Sequence, residues 1–211
     1  ILVRVDYNVP LREDGEVANN QRIVATIPTL TSILERGGRA VLVSHLGRPK
    51  AAVDPKFSLR PVAHELARVL GREVQFSIHT VGAEAVAATM ALNDGEVLLM
   101  ENVRFFPGEE SGDADFAAQL AELGDAYVND AFGTAHRAHA STAVVAQHFK
   151  GRSAFGHVMA NEIKNVDRVL ASQEKPAVAV VGGSKVSSKI VILERLLGRV
   201  DALLIGGGMA F

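Results

Sequence analysis

Short, nearly continuous apolar runs recur along the chain, separated by stretches whose apolar residues fall at helical spacing. Leu2–Val5, Ala40–Val43, Val97–Met100 and residues 74–76, 126–128, 177–181 and 202–205 read as strands. Residues 23–35, 58–71, 81–92, 115–123 and 155–171 read as helices, as does a segment opened by Ser187-Ser188-Lys189 and closed at Gly198. Punctuation supports these bounds. Gly37-Gly38 ends the first helix, Ser58 can cap the second with Pro61 in its first turn, and Asn93-Asp94-Gly95 closes the third. Ser141 or Thr142 can cap a further helix starting near Ala143. Residues 50–57 and 108–113 read as polar loops, and Pro10 and Pro176 break regular structure. The strands are near-continuous apolar runs rather than alternating ones, and they alternate with helices. That combination predicts a parallel sheet covered on both faces. The helix at 155–171 is the candidate junction between two domains, or else an ordinary crossover.

Composition narrows the function classes. Of 211 residues, 48% are hydrophobic, enough for one large or two small domains with a real core. The net charge of -2 argues against general binding to nucleic acid or a membrane surface. Without cysteine, disulfides and thiolate metal sites are excluded. No apolar run approaches the roughly 20 residues of a membrane helix, and no secretory signal is visible. A cytoplasmic protein is the expectation. The chain opens directly on a strand at Ile1 and stops at Phe211 after a glycine run. Both ends are read as cut from a longer protein.

In open parallel sheets, ligands sit beyond the carboxyl ends of the strands, so the residues each strand delivers there matter most. The first half delivers Asp6 and Asn8, then His45 and Arg48, then Arg104, then His136 and Arg137. Arg22, at the start of its helix, can join them. Guanidinium forks match carboxylate and phosphate oxygens. Several of them at one rim of a slightly acidic protein point to a small, multiply charged anion. The stretch from Asn129 to Thr142 is the densest part, a strand end followed by a basic loop and a helix start. His136 and His139 form H-x-x-H, but no third ligand follows at the usual spacing, and no metal site is expected. No G-x-S-x-G elbow supports nucleophilic hydrolysis.

The second half delivers glycines, Gly182-Gly183 and Gly206 to Gly208, with Lys185 and Lys189 nearby. Glycine lets backbone N–H groups approach phosphate, and lysine acts on it as a point charge. This suits a nucleotide phosphate cradle, although neither a P-loop nor a G-x-G-x-x-G motif is present. A non-catalytic anion-binding α/β module is the alternative function class. Lys189 beside Gly182-Gly183 is the feature such a module would not need.

LVRVDYNVP, SHLGRP, ENVRF, NDAFGTAHRAHAST, VGGSKVSSK and LLIGGGMA, in this order, resemble the phosphoglycerate kinase family over essentially the whole chain. The resemblance implies two doubly wound, Rossmann-like α/β domains, the second truncated here. Residues 1–154 correspond to the phosphoglycerate-binding domain, 155–173 to the interdomain helix and 174–211 to the start of the nucleotide-binding domain. It implies 3-phosphoglycerate or 1,3-bisphosphoglycerate at Asp6, Asn8, Arg22, His45, Leu46, Gly47, Arg48, Arg104 and Arg137. It implies ATP or ADP at Gly182, Gly183, Lys185 and Lys189, with Arg22 and Lys189 stabilising the phosphoryl group in transfer. The magnesium ligand and adenine pocket are expected beyond Phe211, so the 211 residues alone are expected to be inactive. A monomeric parent is implied.

Overall fold

The computed structural model describes residues 1–171, 175–183 and 190–209. They fall into two compact units, Ile1–Lys164 and Asn165–Phe211. In the first unit, six strands form one sheet: β1 (Leu2–Val5), β2 (Ala40–Val43), β3 (Gln75–Ser77), β4 (Val97–Met100), β5 (Tyr127–Asp130) and β6 (Ser153–Phe155). Their order is β3-β4-β2-β1-β5-β6, and every pairing is parallel. β1 is central, with Leu2 beside Val41 of β2 and Tyr127 of β5.

Side chains alternate across these strands, and both faces are apolar. One carries Val3, Val5, Leu42 and Leu99 against α1 (Gln21–Leu34) and α2 (Arg60–Leu70), through Ile23, Leu30, Val62 and Leu66. The other carries Leu2, Val41, Val43, Leu98 and Met100. It packs against α3 (Ala83–Met90), α5 (Ala114–Ala121) and the segment ending at Phe149, through Ala85, Phe116, Leu120 and Phe149. This two-sided cover makes the α/β fold doubly wound, and it explains why the strands lack polar alternation.

The observed elements depart from the sequence reading in several places. Residues 108–113, read as a loop, include a single helical turn, α4 (Pro107–Ser111), which starts at a proline and ends at Gly112. Phe155, read as the start of the long helix, is the last residue of strand β6, and α6 runs His157–Ala171. Ser141 and Thr142 do not cap a helix. They lie inside a π-helical turn, Ala140–Val144, that passes into a 3₁₀ segment, Val145–Phe149, and His139 occupies the cap position. Ser58 stands one residue before the cap of α2, its hydroxyl accepting from Arg60 N at 3.3 Å while donating to Glu101.

The second unit pairs β7 (Val178–Gly182) with β8 (Ala202–Gly206), again in parallel, with α7 (Ile190–Leu197) between them. Lys185, Lys189 and the start of the helix read from Ser187 lie outside the described residues.

Candidate functional site

The carboxyl ends of β1, β2, β4 and β5 open on a depression of about 280 Å³ in the first unit. Asp6, Asn8, Arg22, His45, Gly47, Arg48, Arg104, Gly133, Thr134 and Arg137 line it. Of the anion-site residues read from sequence in this half, the exposed His136 and also Leu46 are absent from the lining. The Leu46 side chain is buried in the core, and its carbonyl accepts from Asn102 Nδ2 at 2.8 Å.

Each strand end is tied to its neighbour by residues of these motifs. After β1, Tyr7 N donates to Ser44 Oγ at 2.9 Å, and Asn8 Oδ1 accepts from Gly47 N at 2.8 Å. After β4, Asn102 Nδ2 donates to the carbonyls of Leu46 and Phe57, while its Oδ1 accepts from Arg104 N at 3.0 Å. Glu101 accepts from Leu59 N and Asn102 N, both at 2.8 Å. Arg104 Nη1 donates to Gly47 O at 2.8 Å. The Gly47 peptide is therefore held on both sides by groups of the depression. Gly47 has φ +61, and a Cβ there would stand 2.3 Å from the Phe57 ring. This turn needs glycine for both reasons.

Asp6 Oδ2 accepts from Arg22 Nη1 at 2.6 Å, fixing a half-exposed arginine at the lip of the depression. The backbone of Gly133 passes so close that a Cβ would meet Asp6 Oδ2 at 2.6 Å. Arg104 is buried. Its Nε lies 3.2 Å from Glu110 Oε1 but off the N–H direction, an ion pair without a hydrogen bond. Burial lowers the Arg104 pKa, and Glu110 opposes that shift. The guanidinium groups of Arg48 and Arg137 have no hydrogen-bond or ion-pair partner among the described residues. His45 is buried and neutral. Its pKa is lowered to about 2, first by burial and then by Arg4, Arg104, Arg22 and Arg137. The depression is thus cationic through its arginines, two of which lack a partner among the described residues, and His45 adds no charge.

The two histidines of H-x-x-H part company. His136 is exposed, whereas His139 is buried with Nδ1 3.7 Å from Glu109 Oε1. Burial lowers the His139 pKa against the pull of Glu109. Asp130 is not a rim residue. It accepts from the amides of Val158 at 2.8 Å and Met159 at 3.2 Å, serving the first turn of α6, and from Thr29 Oγ1 at 2.6 Å.

Beneath the depression lies a group of residues that the sequence reading passed over. Arg4 is fully buried in β1; its Nε donates to Ser141 Oγ at 2.7 Å, and Nη1 donates to the Val5 carbonyl. Ser141 N and Oγ both donate to Glu109, at 2.9 and 2.6 Å. Arg4 had a signal in the sequence, a charge set in an otherwise apolar strand. Glu109 had none, because it looks like one more acid in the run Gly-Glu-Glu-Ser.

Fold and rim together define a class: an open parallel α/β domain with an arginine-lined anion depression at its carboxyl edge. The chain belongs to the phosphoglycerate kinase family, whose family model, described as "Phosphoglycerate kinase", matches residues 1–211. The phosphoglycerate kinase of Akkermansia muciniphila is 51% identical over 210 residues, a match covering 100% of this chain and 52% of that protein. That of Moorella thermoacetica is 53% identical over 210 residues, covering 100% of this chain and 53% of that protein. The solved phosphoglycerate kinase of Coxiella burnetii superposes with a TM-score of 0.85 at 42% identity, covering 99% of this chain and 52% of that one. The chain therefore spans about half the length of the relatives it matches.

Proposed function

We propose that this protein acts as a phosphoglycerate kinase. It would move a phosphoryl group reversibly between 1,3-bisphosphoglycerate and MgADP, giving 3-phosphoglycerate and MgATP. The observation that carries the reading is the convergence of Asp6, Asn8, Arg22, His45, Arg48, Arg104 and Arg137 on one depression, from sequence-distant segments. The family relationship supports it.

In this reading, residues 1–154 form the phosphoglycerate-binding domain, 155–173 the connecting helix and 174–211 the beginning of the nucleotide domain. Arg48 and Arg137, whose guanidinium groups lack partners among the described residues, take the substrate's anionic end. Arg104 and the Gly47 peptide shape the floor. Arg22, held by Asp6, faces the group in transfer together with Lys189, while Gly182, Gly183 and Lys185 serve the nucleotide phosphates. The acceptor is a carboxylate oxygen, already an anion, so no general base is required. Phosphoryl transfer then rests on alignment and charge neutralisation. A magnesium ion, when bound with the nucleotide, screens phosphate charge. Its protein ligand is not among the residues assigned here, and the 211 residues alone are proposed to bind 3-phosphoglycerate without turnover. A monomer in the cytoplasm completes the reading.

Calorimetry with 3-phosphoglycerate tests it. Charge-assisted pairs contribute about 1.5–3 kcal/mol each. Arg48→Ala and Arg137→Ala should therefore each weaken binding roughly ten- to hundred-fold. Unchanged affinity in both variants removes the depression as the substrate site.

A further inference from the structure

His45, in the lining of the depression, contacts a side chain that can only donate hydrogen bonds. Its Nδ1 lies 3.2 Å from Nη2 of Arg4, a guanidinium that is 1% exposed. A guanidinium has no acceptor and does not deprotonate in proteins. Nδ1 must therefore be the acceptor, and the proton of the neutral ring must sit on Nε2. That nitrogen points away from Arg4 and has no hydrogen-bond partner among the described residues. Arg4 itself is held in place: Ser141 Oγ and the Val5 carbonyl take its other donors. Ser141 is in turn fixed by the buried carboxylate of Glu109.

We propose that Arg4 is a positioning residue that holds His45 as the neutral Nε2–H tautomer, leaving one oriented, uncharged donor facing the anion depression. The inference rests on the reading of the depression as the phosphoglycerate site only for the identity of the anion. The charged groups around His45 are Arg4 from β1, Arg22 from α1, Arg104 from the turn after β4 and Arg137 from the loop after β5. Asp6 and Arg48 line the same depression. The surrounding cations and burial both oppose a second proton on the ring. The donor thus keeps its form across the physiological range, where a free histidine would change charge. A cationic His45 would add attraction for an anion; the geometry gives that up for a fixed direction of donation.

The test is a ¹⁵N–¹H correlation spectrum of the histidine rings in the 211-residue protein, recorded from pH 8 down to the acid limit of folding. In the unsubstituted chain His45 should show a protonated Nε2 and a bare Nδ1, with no change near pH 6.5. A proton on Nδ1, or a ring that becomes cationic near pH 6.5, overturns the proposal. In Arg4→Met the proton should distribute between the two nitrogens, and the ring should begin to titrate at higher pH than in the parent. The dissociation constant for 3-phosphoglycerate should rise by roughly ten-fold, as for one lost hydrogen bond to a charged group. Where Arg4→Met does not fold, Arg4→Gln, too short to reach the imidazole, gives the same readout. Ser141→Ala, which disturbs the same buried network but leaves Nη2 facing His45, should keep the Nε2–H tautomer. Variants of Arg4 that fold and retain the parent tautomer and titration overturn the positioning role. Addition of 3-phosphoglycerate to the unsubstituted chain should shift the Nε2–H signal. A signal that does not move refutes the phosphoglycerate reading alone, because the tautomer is measured without ligand.

Discussion

The two compact units use strands of the same apolar character and differ in what lies over them. In the first, the β1, β2 and β4 side chains are buried on both faces, beneath helices that pack from either side. In the second, Val178, Val180 and Leu204 are more than half exposed although their strands read the same way in sequence. An apolar run therefore specifies a strand that calls for cover on two sides, and it carries no information about which residues supply the cover. In the proposed function the contrast also separates roles. The described part of the anion depression lies wholly within the first unit, and the glycines assigned to nucleotide lie in the second.

The sharpest way to break this contrast is truncation of one side chain in each unit. Leu99→Ala removes a fully buried side chain and should lower the unfolding free energy by about 2–5 kcal/mol. Val180, 75% exposed, should lose no more than about 0.5 kcal/mol on the change to Ala. Urea unfolding of the 211-residue chain measures both, and equal losses would mean that the second sheet is as well packed as the first. The functional half of the contrast turns on Arg22. In protein that carries both substrates, Arg22→Ala should lower kcat by on the order of 10²-fold, as for one lost electrostatic donor. Affinity for 3-phosphoglycerate should change little. Unchanged kcat with only a raised KM would place Arg22 with Arg48 and Arg137 as a simple anion contact.

A smaller effect than those of Leu99 and Arg22 is the acid dependence that His45 gives the first unit. Folded His45 stays neutral to about pH 2, while an unfolded histidine takes a proton below pH 6.5. Below 6.5 the unfolded chain binds the extra proton, so stability is full above that pH and falls as the pH drops. One such group contributes a slope of at most about 1.4 kcal/mol per pH unit. His45→Gln should flatten the urea-midpoint profile between pH 6.5 and 5, and an unaltered profile would show that His45 titrates normally in the folded state.

Much of this was legible from the amino-acid pattern. β2 and β4 begin and end where their apolar runs do, because a strand buried on both faces admits a polar residue only where a partner satisfies it, as Ser141 and the Val5 carbonyl satisfy Arg4 in β1. The convergence at the rim was also legible, because parallel topology sends every strand's carboxyl end to the same edge. What escaped was decided by distant partners. Ser141 has the chemistry of a helix cap, but a carboxylate and a guanidinium from elsewhere in the chain take its hydroxyl first. Phe155 fits the helical spacing that follows it, yet its place beside Asn129 makes it a strand residue. Leu46 sits inside a rim motif, and its neighbours His45 and Gly47 do line the depression, but its own side chain completes the core.

The pairing of β1 with β5 sets Arg4 beside Asn129, joining residues far apart in the chain. Closing so long a loop carries an entropic cost that contacts within one hairpin or one helix turn do not have. Asp6 follows one of these strands and Arg137 the other, so the complete depression cannot form in any species in which that pairing is absent. Ligand capture is therefore a timestamp on folding. A chain with β1, β2 and β4 already zipped together would show most of its secondary structure while remaining blind to the anion. The moment at which binding appears would record the arrival of β5.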